Sequence, residues 1–191
     1  MSGQLTKQSG SKRDTLRVTV FGGSKPEPGE SAYEDALRLG QLLGAEGYTV
    51  LTGGYIGTMD AVSRGAAEAG GRVIGVTCDE IEAWRPVKPN PWVREEMRFS
   101  TLRQRLYALI ENCDAAFALP GGIGTLAEVA AMWSQLQTKA TSPRPLVLIG
   151  PAWEQTFRAF FASLGEYVAE KDKSLLFFAP DVEAALRWLQ S

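Results

Sequence analysis

Leu119-Pro120-Gly121-Gly122-Ile123-Gly124-Thr125-Leu126-Ala127-Glu128 follows the apolar run Ala115 to Leu119 and leads into Val129-Ala130-Ala131-Met132-Trp133-Ser134-Gln135-Leu136. A short apolar run, a glycine turn and a helical repeat, in that order, read as strand, tight turn and helix start. In an α/β protein such a junction is a place to bind an anion. Gly121, Gly122 and Gly124 are expected to turn the backbone at positive φ and to leave no Cβ between main-chain N–H groups and a ligand. The first turn of the helix adds unpaired N–H donors and the positive end of the peptide dipole, which together favour phosphate. Thr125 adds a hydroxyl donor.

The same residues have a purely structural reading. Thr125-Leu126-Ala127-Glu128 fits the T-x-x-E capping box, in which hydroxyl and carboxylate satisfy helix-end N–H groups. A carboxylate is a poor phosphate ligand, so Glu128 is either this cap or a catalytic group. Spacing leaves both open.

Working outward, Leu16 to Phe21, Tyr48 to Thr52, Arg72 to Val76, Pro145 to Gly150 and Leu175 to Phe178 read as short buried strands. Helical spacing covers Ser31 to Glu46, stopped by Gly47, then Asp60 to Ala69, Thr101 to Asn112, Trp153 to Glu170 and Pro180 to Gln190, with Pro180 suited to a first turn. Strands and helices alternate throughout. The expected fold is therefore α/β: a single Rossmann-like, doubly wound parallel sheet with helices on both faces, spanning residues 16–191. Met1 to Thr15 is polar and has no apolar run, so it is expected to be a disordered arm, neither signal peptide nor membrane span.

Two more glycine turns follow strands and so belong to the carboxyl edge of the sheet, where doubly wound folds bind ligands. Gly22-Gly23-Ser24 ends the first strand, and Gly53-Gly54-Tyr55-Ile56-Gly57-Thr58-Met59-Asp60 ends the second. The first is either a plain strand-to-helix turn with Ser24 as a local cap or part of an anion site. The second either shares one ligand with the 121–124 turn or lets the Ala-rich helix pack close. Thr77 to Ser100, rich in Pro, Trp and charge, reads as a long functional loop. It is expected to close over the site, with Trp84 or Trp92 available to stack on a base.

Composition sets limits. The 191 residues carry 20 Lys and Arg against 22 Asp and Glu, a formal net charge of −2, with 45% hydrophobic residues. That is one ordinary domain whose dispersed charge points to neither nucleic acid nor membrane as a partner. There is no histidine, and Cys78 and Cys113 have no metal-ligand spacing. The usual zinc sites and Ser-His or Cys-His catalysis are excluded, and two isolated cysteines suit a reduced, cytoplasmic protein. A dehydrogenase fits poorly, because the turn lacks G-x-G-x-x-G spacing and no acid ends the second strand. In the helix Thr101 to Asn112, Arg103 and Arg105 flank the apolar stripe of Leu102, Leu106, Leu109 and Ile110 on opposite edges, and spacing does not choose between them.

The string Pro120-Gly121-Gly122-x-Gly124-Thr125-x-x-Glu128 resembles the PGGxGTxxE signature of the Lonely Guy family, cytokinin-activating phosphoribohydrolases often labelled lysine decarboxylases. The resemblance covers roughly Arg17 to Leu189 and is strongest from Arg105 to Glu128. It implies that Glu128 and Arg105 are catalytic, Arg105 falling on the arginine of the family's MHERK-like segment. Leu102, Arg103, Gln104 and Leu106 stand where that segment has Met, His, Glu and Lys. It also implies substrate and phosphate contacts at Gly23, Ser24, Gly53, Gly54, Gly57, Met59, Gly121, Gly122, Gly124 and Thr125. The second turn is similar to the family's GGGxxGxM turn, with Thr52 in place of its first glycine.

The resemblance implies hydrolysis of the N-glycosidic bond of a purine nucleoside 5′-monophosphate, AMP or cytokinin-type, to free base and ribose 5-phosphate, as in cytokinin biosynthesis. It further implies a homodimer with the site near the interface, and the scheme needs no metal or organic cofactor. Glu128 would stabilise oxocarbenium-like charge or activate water, with Arg105 orienting it. No residue is assigned to protonate the leaving base. The alternative is a nucleotide or molybdenum-cofactor carrier of the same superfamily. Lysine decarboxylation is rejected, because pyridoxal-phosphate decarboxylases place a histidine beside the Schiff-base lysine.

Overall fold

The structure, a computed structural model, describes residues 15–191. The expected arm Met1 to Thr15 lies outside the described residues except for Thr15. Seven strands form one all-parallel sheet: β1 (Arg17–Phe21), β2 (Thr49–Thr52), β3 (Arg72–Cys78), β4 (Glu95–Phe99), β5 (Ala115–Ala118), β6 (Leu146–Ile149) and β7 (Phe177–Ala179). Their spatial order is β4-β3-β2-β1-β5-β6-β7. The β2, β5 and β6 side chains are buried throughout, which is why β5 and β6 read as unbroken apolar or small-residue runs and β2 as two apolar residues between β-branched threonines, rather than as alternations.

Helices cover both faces. On one face α1 (Ser31–Ala45), α2 (Thr58–Glu68) and α8 (Val182–Gln190) bury Leu39, Leu43, Val62, Ala66 and Leu186 against Val18, Val20, Val50 and Phe117. On the other, α4 (Leu102–Glu111), α5 (Ile123–Thr138) and α6 (Pro151–Leu164) bury Leu109, Ile110, Val129, Met132, Trp153 and Phe157 against Phe21, Leu51, Val76 and Leu148. Helices α1 and α2 approach each other backbone to backbone, because Gly40, Gly44 and Gly65 present no side chain at the crossing. Among the described residues no helix is long and apolar enough to cross a membrane.

Several boundaries differ from the sequence reading. The stretch 77–100 is not one loop. It begins with the end of β3, continues through α3 (Asp79–Trp84) and closes with β4, an edge strand whose sequence Glu-Glu-Met-Arg-Phe lacks the apolar signal of a buried strand. Charge on an edge strand discourages pairing with other chains, so the same property that protects the edge hid the strand. The helix expected to Glu170 stops at Leu164, followed by a 3-10 turn (Gly165–Tyr167) and the short α7 (Glu170–Lys173). The last strand begins two residues later than expected and ends one residue later. Pro180 precedes α8 rather than entering it, since Asp181 caps that helix by accepting from the Ala184 N–H at 2.7 Å.

Candidate active site

The three glycine turns meet at the carboxyl edge, where β1 lies between β2 and β5 and the chain switches direction across the sheet. Thr58 donates to the Gly23 carbonyl through both its backbone N–H, 2.9 Å, and its hydroxyl, 3.0 Å. Gly57, at φ 71°, caps α2; a Cβ there would stand 2.5 Å from the Gly23 oxygen and 2.6 Å from Ser24 Cα. A Cβ on Gly121 would collide with the Thr125 hydroxyl and sit 3.1 Å from the Gly23 N. Thus Gly23, Ser24, Gly57, Gly121 and Thr125 are brought together.

The conformation of the 121–124 turn corrects one expectation. None of Gly121, Gly122 and Gly124 has positive φ; Gly122 caps α5 at φ −90°, ψ −153°. A Cβ at Gly122 or Gly124 would meet nothing within 4 Å. These two glycines therefore leave the helix entrance bare rather than relieve backbone strain. Just behind them lie the first N–H groups of a 16-residue helix, which have no carbonyl one turn earlier to bond.

The capping box is absent. With Gly122 as the cap, Thr125 is the third helical residue and Glu128 the sixth, one turn too far in to reach the helix-end donors. The Thr-x-x-Gln box that does form is Thr101 with Gln104, at the start of α4.

Glu128 instead faces Arg105. The nearest atoms, Oε1 and Nη1, are 3.8 Å apart, and the two side chains are 12% and 6% exposed. Arg105 is fixed from behind: Nε donates to the Val76 carbonyl at 2.7 Å and Nη2 to the Gly53 carbonyl at 3.2 Å. The guanidinium lies 5.8 Å from the centre of the buried Tyr55 ring. Arg103 is exposed, so α4 turns one arginine in and one out.

Gly53 and Met59 belong to this arginine rather than to the glycine cluster. A Cβ on Gly53 would overlap Arg105 Nη2 and the Met59 sulfur, and that sulfur is 3.9 Å from Nη2. Gly54, at φ 78°, turns against Gly75 of β3 and accepts from the Asn90 N–H at 2.8 Å.

At 3.8 Å the Glu128–Arg105 pair is too long for a hydrogen bond, so the carboxylate gains attraction without a donor. Burial prevails over the guanidinium's opposing charge and pushes the Glu128 pKa up from 4.5 to about 7. The folded state thus holds this proton more tightly than the unfolded chain. The associated stability is fully present below pH 4.5 and lost as pH rises through about 7. The loss is on the order of 3 kcal/mol. Urea unfolding between pH 4.5 and 8 is expected to show this decline, and Glu128→Gln is expected to flatten it. An unchanged slope in the variant would assign the proton elsewhere.

Sequence reading missed a second set of residues. Tyr55 Oη accepts from the Cys78 N–H at 2.9 Å and lies 3.2 Å from both the Cys78 carbonyl and Glu82. Arg98 joins Asp79, Glu82 and Glu96, bracing α3 on β4. Buried Asn90 donates from its amide to the Tyr55 carbonyl at 3.0 Å. These bonds pin the 77–100 stretch beside the site, so the expected closing loop is an anchored wall. Trp92 packs on Arg64 of α2, 5.9 Å from its guanidinium, whereas Trp84 is 78% exposed. Only the alternation of Met97 and Phe99 with the charged Glu96 and Arg98 could have signalled β4.

The family described as possible lysine decarboxylase matches residues 59–189. A probable cytokinin riboside 5′-monophosphate phosphoribohydrolase of Oryza sativa subsp. japonica is 38% identical over 124 residues, covering 63% of this chain and 50% of that protein. A pyrimidine/purine nucleotide 5′-monophosphate nucleosidase of Escherichia coli (strain K12) is 31% identical over 160 residues, covering 79% of this chain and 34% of that protein. The chain therefore spans half the length of the first and about a third of the second. The molybdenum cofactor carrier protein of Chlamydomonas reinhardtii has a TM-score of 0.69 and 28% identity, covering 92% of this chain and 96% of that one. Because the match runs from Met59 through Arg105, the 121–124 turn and Glu128 to the closing helix, the chain belongs to the possible lysine decarboxylase family, the Lonely Guy family that its PGGxGTxxE string resembles.

Proposed function

We propose that this chain is a nucleoside 5′-monophosphate phosphoribohydrolase acting on a purine substrate, AMP or a cytokinin-type nucleotide. The observation that carries this reading is the buried Arg105–Glu128 pair beside a bare helix entrance at the topological switch point. The 5′-phosphate binds at Gly121, Gly122, Gly124 and Thr125 with Gly23 and Ser24, and the sugar lies toward Glu128. Ionised Glu128 stabilises positive charge developing at C1′ or accepts the proton of the attacking water. The C1′–N bond breaks with its electron pair leaving on the base, water oxygen bonds to C1′, and the base gains one proton. Arg105 holds Glu128 and the nucleotide by charge, since its guanidinium is not a proton donor near neutrality. Gly53 and Met59 serve by setting Arg105, and Gly54 and Gly57 by setting the turns around it. The chemistry calls for no metal or organic cofactor.

Homologues named phosphoribohydrolase and nucleosidase support the reaction class. A decarboxylase does not suit a chain without histidine. We also infer a cytoplasmic homodimer. Leu102, Tyr107, Ile123 and Leu126, exposed apolar side chains on α4 and at the start of α5, support a partner copy next to the site.

A carrier of a nucleotide or of molybdenum cofactor is the second reading. It is favoured by the unusual Leu102, Arg103, Gln104 and Leu106 around Arg105 and by the likeness to the Chlamydomonas carrier. Incubating the pure protein with AMP and with isopentenyladenosine monophosphate, and following free base by chromatography, separates the two. Base release supports the hydrolase. Binding that raises the melting temperature without any release supports the carrier.

A further inference from the structure

The carboxyl edge of β2 and β3 carries three arginines with very different surroundings. Arg98 is joined to Asp79, Glu82 and Glu96, and Arg105 to Glu128. Arg85 has no carboxylate within 4.0 Å among the described residues. Its Nη1 donates to the Ser24 hydroxyl at 3.2 Å, and its Nε–H is buried with no hydrogen-bond partner among those residues. One face of the guanidinium is covered by Trp84, whose ring centre is 5.4 Å away. A cation that is partly desolvated and unpaired raises the free energy of the empty protein, and an arriving anion removes that cost.

Its placement is fixed rather than accidental. Arg85 follows α3, which Glu82 and Tyr55 tie to β3, and precedes Asn90, which ties the chain to the second glycine turn. The guanidinium is therefore held over the Gly23-Ser24 turn, which touches Gly57 on one side and Gly121 on the other. Ser24, Thr58 and Thr125 are neutral, and the one lysine of this turn, Lys25, is exposed, whereas Arg85 is half-buried and bonded to Ser24.

We propose that Arg85 is the residue that recognises the 5′-phosphate of the nucleotide. On binding, the phosphate takes the guanidinium N–H groups, with the Ser24 hydroxyl as a neighbouring donor, and the α5 entrance completes the contact. The inference rests on the phosphoribohydrolase reading for the identity of the anion. It sets Arg85 apart from Arg105: the first selects phosphorylated substrates, the second serves the reacting carbon.

The test compares wild type, Arg85→Ala and Arg85→Lys for cleavage of AMP, inhibition by ribose 5-phosphate and binding of adenosine. Arg85→Ala is expected to raise both the KM for AMP and the Ki of ribose 5-phosphate roughly 10- to 100-fold, while kcat changes by less than about threefold. Adenosine binding is expected to stay as in wild type, and Arg85→Lys to recover part of the loss. Arg85→Ala with KM and Ki within about twofold of wild type overturns the assignment. If wild type cleaves nothing, calorimetry with AMP decides: weakening by about tenfold or more in Arg85→Ala sustains Arg85 while the hydrolase reading fails. No measurable binding of AMP or ribose 5-phosphate to wild type overturns both.

Discussion

Glu128→Gln is expected to lower kcat for base release by roughly 10³-fold with little change in KM. Glutamine keeps the shape and removes the charge, so whatever the ionised carboxylate does at C1′ is lost while the glycine turns still hold phosphate. Stability moves the other way. At pH 8 the wild-type carboxylate is ionised in a site that disfavours the charge, so the variant is expected to be at least as stable there. A residue that only shaped the helix would cost stability and spare the rate. The wild-type kcat/KM is expected to rise from pH 5 to 8 with a midpoint near the Glu128 pKa of about 7, because both assigned roles need the ionised form. A falling profile would recast Glu128 as the acid. Activity surviving in Glu128→Gln would remove it from the mechanism altogether.

Gly65→Val is expected to be the most destabilising small substitution in the helical layer. A Cβ on Gly65 would overlap the Leu37 carbonyl and stand 2.8 Å from the Gln41 N, both backbone atoms of α1. Neither can rotate away, so α1 and α2 must separate, and the core they share with β1 and β2 opens. The expected cost is about 3 kcal/mol or more, a fall in Tm of roughly 6–12 °C for a domain of this size. Better intrinsic helix propensity offsets under about 1 kcal/mol of it. Gly124→Ala is the companion, since its Cβ meets no protein atom within 4 Å. Its Tm is expected to stay within about 2 °C of wild type. Equal Tm values for the two variants would contradict the close crossing.

The sequence was most readable where burial is total. Strands β5 and β6 are apolar or small on both faces, and the turns after β2 and β6 carry glycines at positive φ, Gly54, Gly57 and Gly150, a conformation other residue types rarely adopt. Reading failed where tertiary partners decide. Arg103 and Arg105 are alike in spacing; what buries one is the pair of carbonyls from Val76 and Gly53, 29 and 52 residues away. Only the family resemblance pointed to Arg105. Thr125 and Glu128 fit a capping box that does not form, because the loop sets the cap at Gly122, three residues early. Strand β4 escaped because edge strands are written in charge, and Arg85 because nothing local marks a guanidinium left without a carboxylate.

The buried Asn90 gives the excursion between β3 and β4 a mechanical character of its own. By latching onto Gly54 and Tyr55 it divides the excursion into two short spans, each with far fewer backbone arrangements than one long tether. A protease needs several consecutive residues in extended, detachable form. The span from Pro86 to Lys88, between the α3 anchor and the latch, offers that more readily than the stretch around the latch. Deeper cleavage requires Asn90 to let go first, stranding the Gly54 and Tyr55 carbonyls. Resistance to nicking in this region therefore reports on the turn that positions Arg105.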